Sequence, residues 1–190
     1  MKTLPEIHAY WHEHTTCPLK ETATQPVFGD GNPHADIVFI GEAPGKDEDL
    51  TGKPFVGRAG KFLNELLAEI KLDRNDIYIT NTVKYRPSDN RDPEPEEKLS
   101  CRAWLFEELN AIQPKLVIFL GRHALSTYFP DEKISVVHGK LLHKKFESLN
   151  TENFLALYHP AAALYNGKLR ETLIEDFRKI PKILKKITNF

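Results

Sequence analysis

Apolar residues recur along the chain in short runs, each broken by an abrupt polar turn. Four runs stand out: ADIVFIG (35–41), DIYITN (76–81), KLVIFLG (115–121) and NFLALYH (153–159). The first and third are almost continuously apolar, the pattern of parallel strands covered on both faces. Between the runs the period becomes helical. AGKFLNELLAEI sets Phe62, Leu63, Leu66, Leu67 and Ile70 on one face, and EEKLSCRAWLFEELNAI does the same with Leu99, Trp104, Leu105, Leu109 and Ile112. The segment DPEPEE supplies prolines and acids suited to the start of that second helix. Strands alternating with helices predict a three-layer α/β/α sandwich with a mainly parallel central sheet, as one domain over residues 1–190. HGKLLHKKF (138–146) reads as a hairpin-like insertion, and RKIPKILKKITNF as a basic helix interrupted at Pro181.

In sheets of this kind, ligands sit in the crevice beyond the carboxyl ends of the strands. Glu42 follows the first run, Asn81 ends the second, and His159 ends the last, while Phe55 in TGKPFVG lies on the long loop after the first. The loop GEAPGKDED carries two glycines, but it lacks the lysine and hydroxyl of a phosphate-binding loop and the third glycine of a dinucleotide fold. Its acids Glu42, Asp47, Glu48 and Asp49 would also repel a bare polyphosphate. A carboxylate, an amide, an imidazole and an aromatic plate suit a flat heterocycle better. Taken singly, Asn81 also reads as a strand-ending turn residue, Phe55 as core, and Glu42 and His159 as ordinary loop residues. Taken together, they point to a pocket for a base.

Composition adds bounds. With 190 residues, 41% hydrophobic and 28% charged, the chain can bury one sizeable core. The apolar runs are far too short to cross a bilayer, and the start MKTLPEIHAYWHEH lacks the apolar stretch of a secretory signal, so the expected setting is a cytoplasmic monomer with no membrane association. Two cysteines, Cys17 and Cys101, cannot form a disulfide framework. A net charge of −1 confines any site for a polyanion to a local patch.

The segments GEAPGKDEDLTGKPFVGRAGKFLNELL, NTVKYRPSDNRDPEPEE and HPAAAL resemble the motifs of the uracil-DNA glycosylase superfamily. The likeness is nearest to its family four, whose members normally carry a 4Fe-4S cluster. It runs from about His14 to the C-terminal helix with motif order kept. The resemblance implies an N-glycoside hydrolase of base excision repair that acts on uracil flipped out of DNA, leaving an abasic site. It assigns Phe55 to stack on the base and Asn81 to pair with its O4 and N3, and it wraps the loop backbone at Gly41 and Ala43 around the ring. His159 would stabilise the departing uracil anion, and Glu42 would position or deprotonate water. Ala43 stands where a better-known glycosylase family has an aspartate, and Glu48 would support the loop. Uracil-containing DNA is the implied partner, contacted by Arg58, Lys84, Arg86 and Lys168, with Leu164 in HPAAAL as the wedge. Lys61 and Arg170 are further candidates, and Tyr165 stands where relatives often carry a basic residue. A small-molecule nucleoside hydrolase and a non-catalytic binding module are the alternatives.

The resemblance also aligns the cluster's ligands with His14, Cys17, Tyr85 and Cys101, so only two of four thiolates remain. These positions read as vestigial, and no metal or cofactor is expected. Relatives that capture their abasic product use a histidine in the loop after the second strand. Here that loop, YRPSDNRDPEPEE, has none, which implies turnover.

Overall fold

A computed structural model describes residues 2–188. Its six strands are β1 (Asp30–Gly31), β2 (Ile37–Gly41), β3 (Tyr78–Asn81), β4 (Leu116–Leu120), β5 (Leu141–His143) and β6 (Asn153–Leu157). They form one sheet in the order β1-β3-β2-β4-β6-β5. The inner four, which are the four apolar runs of the sequence, are mutually parallel. The edge strands are antiparallel. HGKLLHKKF supplies β5, which pairs with β6 as the expected hairpin.

The helices are α1 (Leu4–His14), α2 (Lys46–Thr51), α3 (Arg58–Glu69), α4 (Pro95–Ile112), α5 (Arg122–Tyr128), α6 (Ile134–Val137), α7 (Pro160–Ala163), α8 (Gly167–Phe177) and α9 (Ile180–Thr188). Successive strand residues serve opposite faces. Val38, Ile40, Val117 and Phe119 pack with Leu105 and Leu109 of α4 and Leu125 of α5. Ile37, Phe39, Ile118 and Leu120 pack with Phe62, Leu63 and Leu66 of α3 and Leu173 and Phe177 of α8. The result is the three-layer sandwich read from the sequence. Among the described residues no helix is long and apolar enough to cross a membrane.

Two helix assignments need correction. Leu99 was expected on the buried face of α4 but is 67% exposed. Five residues separate it from Trp104, which at 3.6 residues per turn is a rotation of about 140°, away from the apolar stripe. Pro181 does not interrupt a helix. It lies in the first turn of α9, where its missing N–H leaves no intrahelical bond unmade. Asn189 and Phe190, the end of that basic segment, lie outside the described residues.

Candidate active site

The parallel strands deliver their carboxyl ends to one rim. Asn81 closes β3, Gly41 closes β2 with Glu42 next to it, and His159 follows β6. The rim is indented by a cavity of about 310 Å³ lined by Glu42, Ala43, Phe55, Asn81, Asp92 and His159 among others, a small-ligand volume.

Gly41 makes room for the contact between Asn81 and Phe55. A Cβ there would stand 2.4 Å from Asn81 Oδ1 and 2.7 Å from the Phe55 ring, so glycine is what lets the amide and the ring meet. Phe55 adopts the left-handed backbone conformation, with φ of 53°, which costs a non-glycine residue on the order of 1–3 kcal/mol. Two charged side chains hold it there. Glu48 Oε1 accepts from the N–H groups of Val56 and Gly57, both at 2.9 Å. Arg74 donates to the carbonyls of Pro54, at 2.7 Å, and Phe55, at 3.2 Å. Gly60 completes the clamp, since a Cβ there would lie 1.8 Å from the Phe55 carbonyl oxygen. Two glycines, a glutamate and an arginine thus present one phenyl ring.

Asn81 is buried, and its Oδ1 has no hydrogen-bond partner among the described residues. An unmatched buried acceptor is costly unless a ligand supplies a donor. His159 stacks against Phe55, with ring centroids 5.7 Å apart and an interplanar angle of 28°. Its Nδ1 accepts from the N–H of Ala161 at 3.1 Å. A neutral ring therefore carries its proton on Nε2 and is a donor there. Burial, with help from His123, pushes its pKa down to about 4, so the ring is neutral at pH 7. Glu42 is shifted the other way. Burial, reinforced by the Asp92 carboxylate, raises its pKa to about 7. The rim thus offers a neutral N–H donor and a carboxylate poised as a base.

Asp92 and His123 escaped the sequence reading, although both stand at the rim. Asp92 belongs to NRDPEPEE, which reads as a helix start. Arg91 pins that segment by a two-pronged pair with Glu97, at 2.9 and 2.6 Å. The usable signal was positional: His123 follows the end of the third apolar run, the one strand end at which no polar candidate was named.

The expected DNA contacts divide. Arg58 and Lys168 are exposed. Arg86 is half-buried and bonded to Asn90 Oδ1 at 2.7 Å. Lys61 is exposed, whereas Arg170 pairs with Glu65 at 2.8 Å and covers the Phe62 ring. Lys84 is a correction. Its side chain is fully buried and bonded to Glu108, Thr80 Oγ1 and the carbonyl of Asn81, so it cannot reach a phosphate. Leu164 is half-buried against the apolar layer of α3 and α8, and the neighbouring Tyr165, 78% exposed, projects instead. Arg58 donates to the Tyr165 hydroxyl at 2.7 Å.

Cys17, Tyr85 and Cys101 lie together in an apolar cluster with Ile7, Leu19, Val83 and Trp104. Both cysteines are free thiols. The Cys101 thiol holds Cys17 down to about 6, and the same contact with burial pushes Cys101 up. Burial and the two thiols push the Tyr85 phenol to about 12. His14 turns outward, stacked on Tyr10 and bonded to its carbonyl at 2.8 Å. Two cysteines, a protonated phenol and an imidazole facing solvent do not supply the four thiolates of an iron–sulfur cluster.

Comparison with known proteins gives consistent matches. The family model described as the uracil DNA glycosylase superfamily matches residues 28–183. A type-4 uracil-DNA glycosylase of Archaeoglobus fulgidus is 48% identical over 172 residues, covering 88% of this chain and 86% of that protein. One of Saccharolobus solfataricus is 46% identical, covering 88% and 80%. One of Thermotoga maritima is 41% identical, covering 90% of each.

Proposed function

The chain belongs to the uracil DNA glycosylase superfamily, and we propose from this premise that it hydrolyses the N-glycosidic bond of uracil flipped out of DNA. The observation that carries the reading is the convergence of an unpartnered Asn81 Oδ1, a neutral His159 donor and the Phe55 ring on one small cavity. Uracil presents N3–H as donor and O4 as acceptor, which an Asn81 amide matches through Oδ1 and Nδ2. Cytosine reverses both groups and is rejected. Phe55 supplies the stacking face.

As the C1′–N1 bond breaks, its electron pair passes to the uracil ring and negative charge grows on O2. His159 Nε2–H stabilises that charge without giving up its proton, an arrangement whose removal costs about 10²–10³ in rate at comparable sites. Water forms the new C1′–O bond, and Glu42 takes its proton. Gly41 and Ala43 let the loop backbone close on the ring. Arg58, Arg86 and Lys168 lie on the DNA face, and the enzyme works as a cytoplasmic monomer without an iron–sulfur cluster.

The test is excision from a uracil-containing oligonucleotide, read as strand cleavage after alkali. Cleavage that requires uracil supports the reading. Hydrolysis confined to free deoxyuridine, or binding of oligonucleotides without cleavage, would overturn it in favour of a small-molecule hydrolase or a non-catalytic module.

A further inference from the structure

Glu42 Oε1 is shielded from solvent and has no hydrogen-bond partner among the described residues. The sheet order shows what lies nearest. β4 runs between β2 and β6, so α5, which starts at the carboxyl end of β4, begins between Glu42 and His159. The second residue of α5 is His123, and its Nδ1 stands 3.8 Å from Glu42 Oε1. On the other side of the ring, Arg122 Nε donates to His123 Nε2 at 3.0 Å. That bond occupies the Nε2 lone pair, so the proton of a neutral ring sits on Nδ1, facing the carboxylate. Asp92 Oδ2, 3.1 Å from Nε2, competes with Arg122 for that nitrogen, and the Arg122 bond is the one that leaves the proton on Nδ1.

We propose that His123 is a positioning residue for Glu42: its Nδ1–H closes onto Oε1 when uracil fills the pocket, fixing the carboxylate with Oε2 free for the attacking water. The inference rests on the glycosylase reading. A separation of 3.8 Å is too long for a hydrogen bond, but catalytic hydrogen bonds are commonly long without substrate and tighten in the complex.

The surrounding charges are compatible with this role. Asp92, on the loop before α4, works against an ionised Glu42, whereas Lys98 of α4 and Arg122 of α5 favour it. Burial holds the His123 pKa below its ordinary value, outweighing the pull of Asp92, and Arg122 and Lys98 act in the same direction as burial. His159, the remaining titratable group nearby, is neutral. At neutral pH His123 therefore meets Glu42 as a neutral donor, not as a competing cation.

The experiment is the pH profile of single-turnover excision for wild type, His123→Leu, His123→Asn and His123→Gln, with His123→Leu repeated in a Glu42→Gln background. A hydrogen bond to a charged group contributes about 1.5–3 kcal/mol, so loss of the donor lowers excision roughly tenfold or more at pH 7. It also moves the acid limb to higher pH. Asn keeps an N–H where Nδ1 stands and restores most of the loss, whereas Gln carries its amide to the Nε2 position and does not. With Glu42 already replaced by Gln, the leucine substitution costs little more. An unmoved acid limb, equal losses in both backgrounds, or a Gln variant as active as the Asn variant would overturn the inference. If the leucine variant fails to fold, the contrast between Asn and Gln still decides. An inactive wild type would instead overturn the glycosylase reading itself.

Discussion

Lys84 and Glu108 form an ion pair in which neither side chain is exposed. Burial pushes the Glu108 carboxyl up, but Lys84 and a hydrogen bond from His8, at 2.8 Å, outweigh it and keep the group ionised. Because Lys84 Nζ also donates to the carbonyl of Asn81 at 3.1 Å, α4 and α1 are tied through this pair to a residue that lines the cavity.

Lys84→Met therefore acts through stability. Removing one member of a buried pair leaves the other uncompensated, at about 3–5 kcal/mol. Urea unfolding is expected to show a loss of that size. Where the variant stays folded, the salt dependence of DNA binding should remain that of wild type, since no phosphate contact is lost. A reduced salt slope with unchanged stability would return Lys84 to the DNA face.

Glu42 and His159 predict the pH dependence. With the Glu42 carboxylate as the proposed base and its pKa raised to about 7, excision should rise with pH up to about 7 and then level off. Below that value it should fall about tenfold per unit. His159 stays neutral down to about 4 and does not shape this limb. The raised pKa also means that the folded state binds the proton more tightly than the unfolded chain. The associated stability is thus present at low pH and lost as pH rises through 7. Glu42→Gln should flatten the acid limb and raise Tm at pH 8; a variant that keeps the wild-type limb would remove Glu42 as the titrating base.

The apolar runs made the fold legible because parallel strands covered on both faces need apolar residues at nearly every position, as in IVFIG and LVIFL. The rim was legible for a related reason. A polar residue that ends such a run is conspicuous, and Glu42, Asn81 and His159 all do so. Lys84 was misread because a lysine near a motif suggests a phosphate, while its partner Glu108 lies 24 residues away on α4. His123 was missed because it meets Glu42 only through the placement of β4 between β2 and β6, which sequence order does not state, and Asp92 because its segment reads as the start of α4. Leu99 shows the limit of periodicity, since a leucine near a stripe is not necessarily on it.

Tyr165 projects where Leu164 was expected to be the wedge. Its ring, held by Arg58, can stack on the bases beside an extruded uracil, and such stacking is worth roughly 1–3 kcal/mol. Tyr165→Ala should therefore slow excision from double-stranded DNA about tenfold while leaving single-stranded substrate nearly untouched, because only the duplex has to be held open. Tyr165→Phe should retain most of the duplex activity. Leu164→Ala should appear mainly as lost stability, because that side chain packs against the core. The reverse pattern, with Leu164 governing duplex activity, would restore the leucine as the wedge.

By the resemblance Tyr85 stands at one of the family's four cluster-ligand positions, where a phenol replaces a thiolate. Its ring is 1% exposed and packs with both thiols, and its hydroxyl meets His12 Nδ1 at 3.1 Å. On the proposal that this chain works without a cluster, the packed Tyr85 ring takes over the stapling of the segments that carry Cys17 and Cys101. The aromatic cluster of Trp11, Phe28 and Trp104 extends the same packing to α1. Two consequences follow if packing has replaced the cluster. Protein purified anaerobically should be colourless and free of stoichiometric iron and sulfide, yet active on uracil-containing DNA. Tyr85→Ala should cost about 3–5 kcal/mol in urea unfolding through the cavity it leaves, and added iron and sulfide should not recover that stability. A brown protein with stoichiometric iron, or iron-dependent rescue of the alanine variant, would show that two thiols and outside ligands suffice.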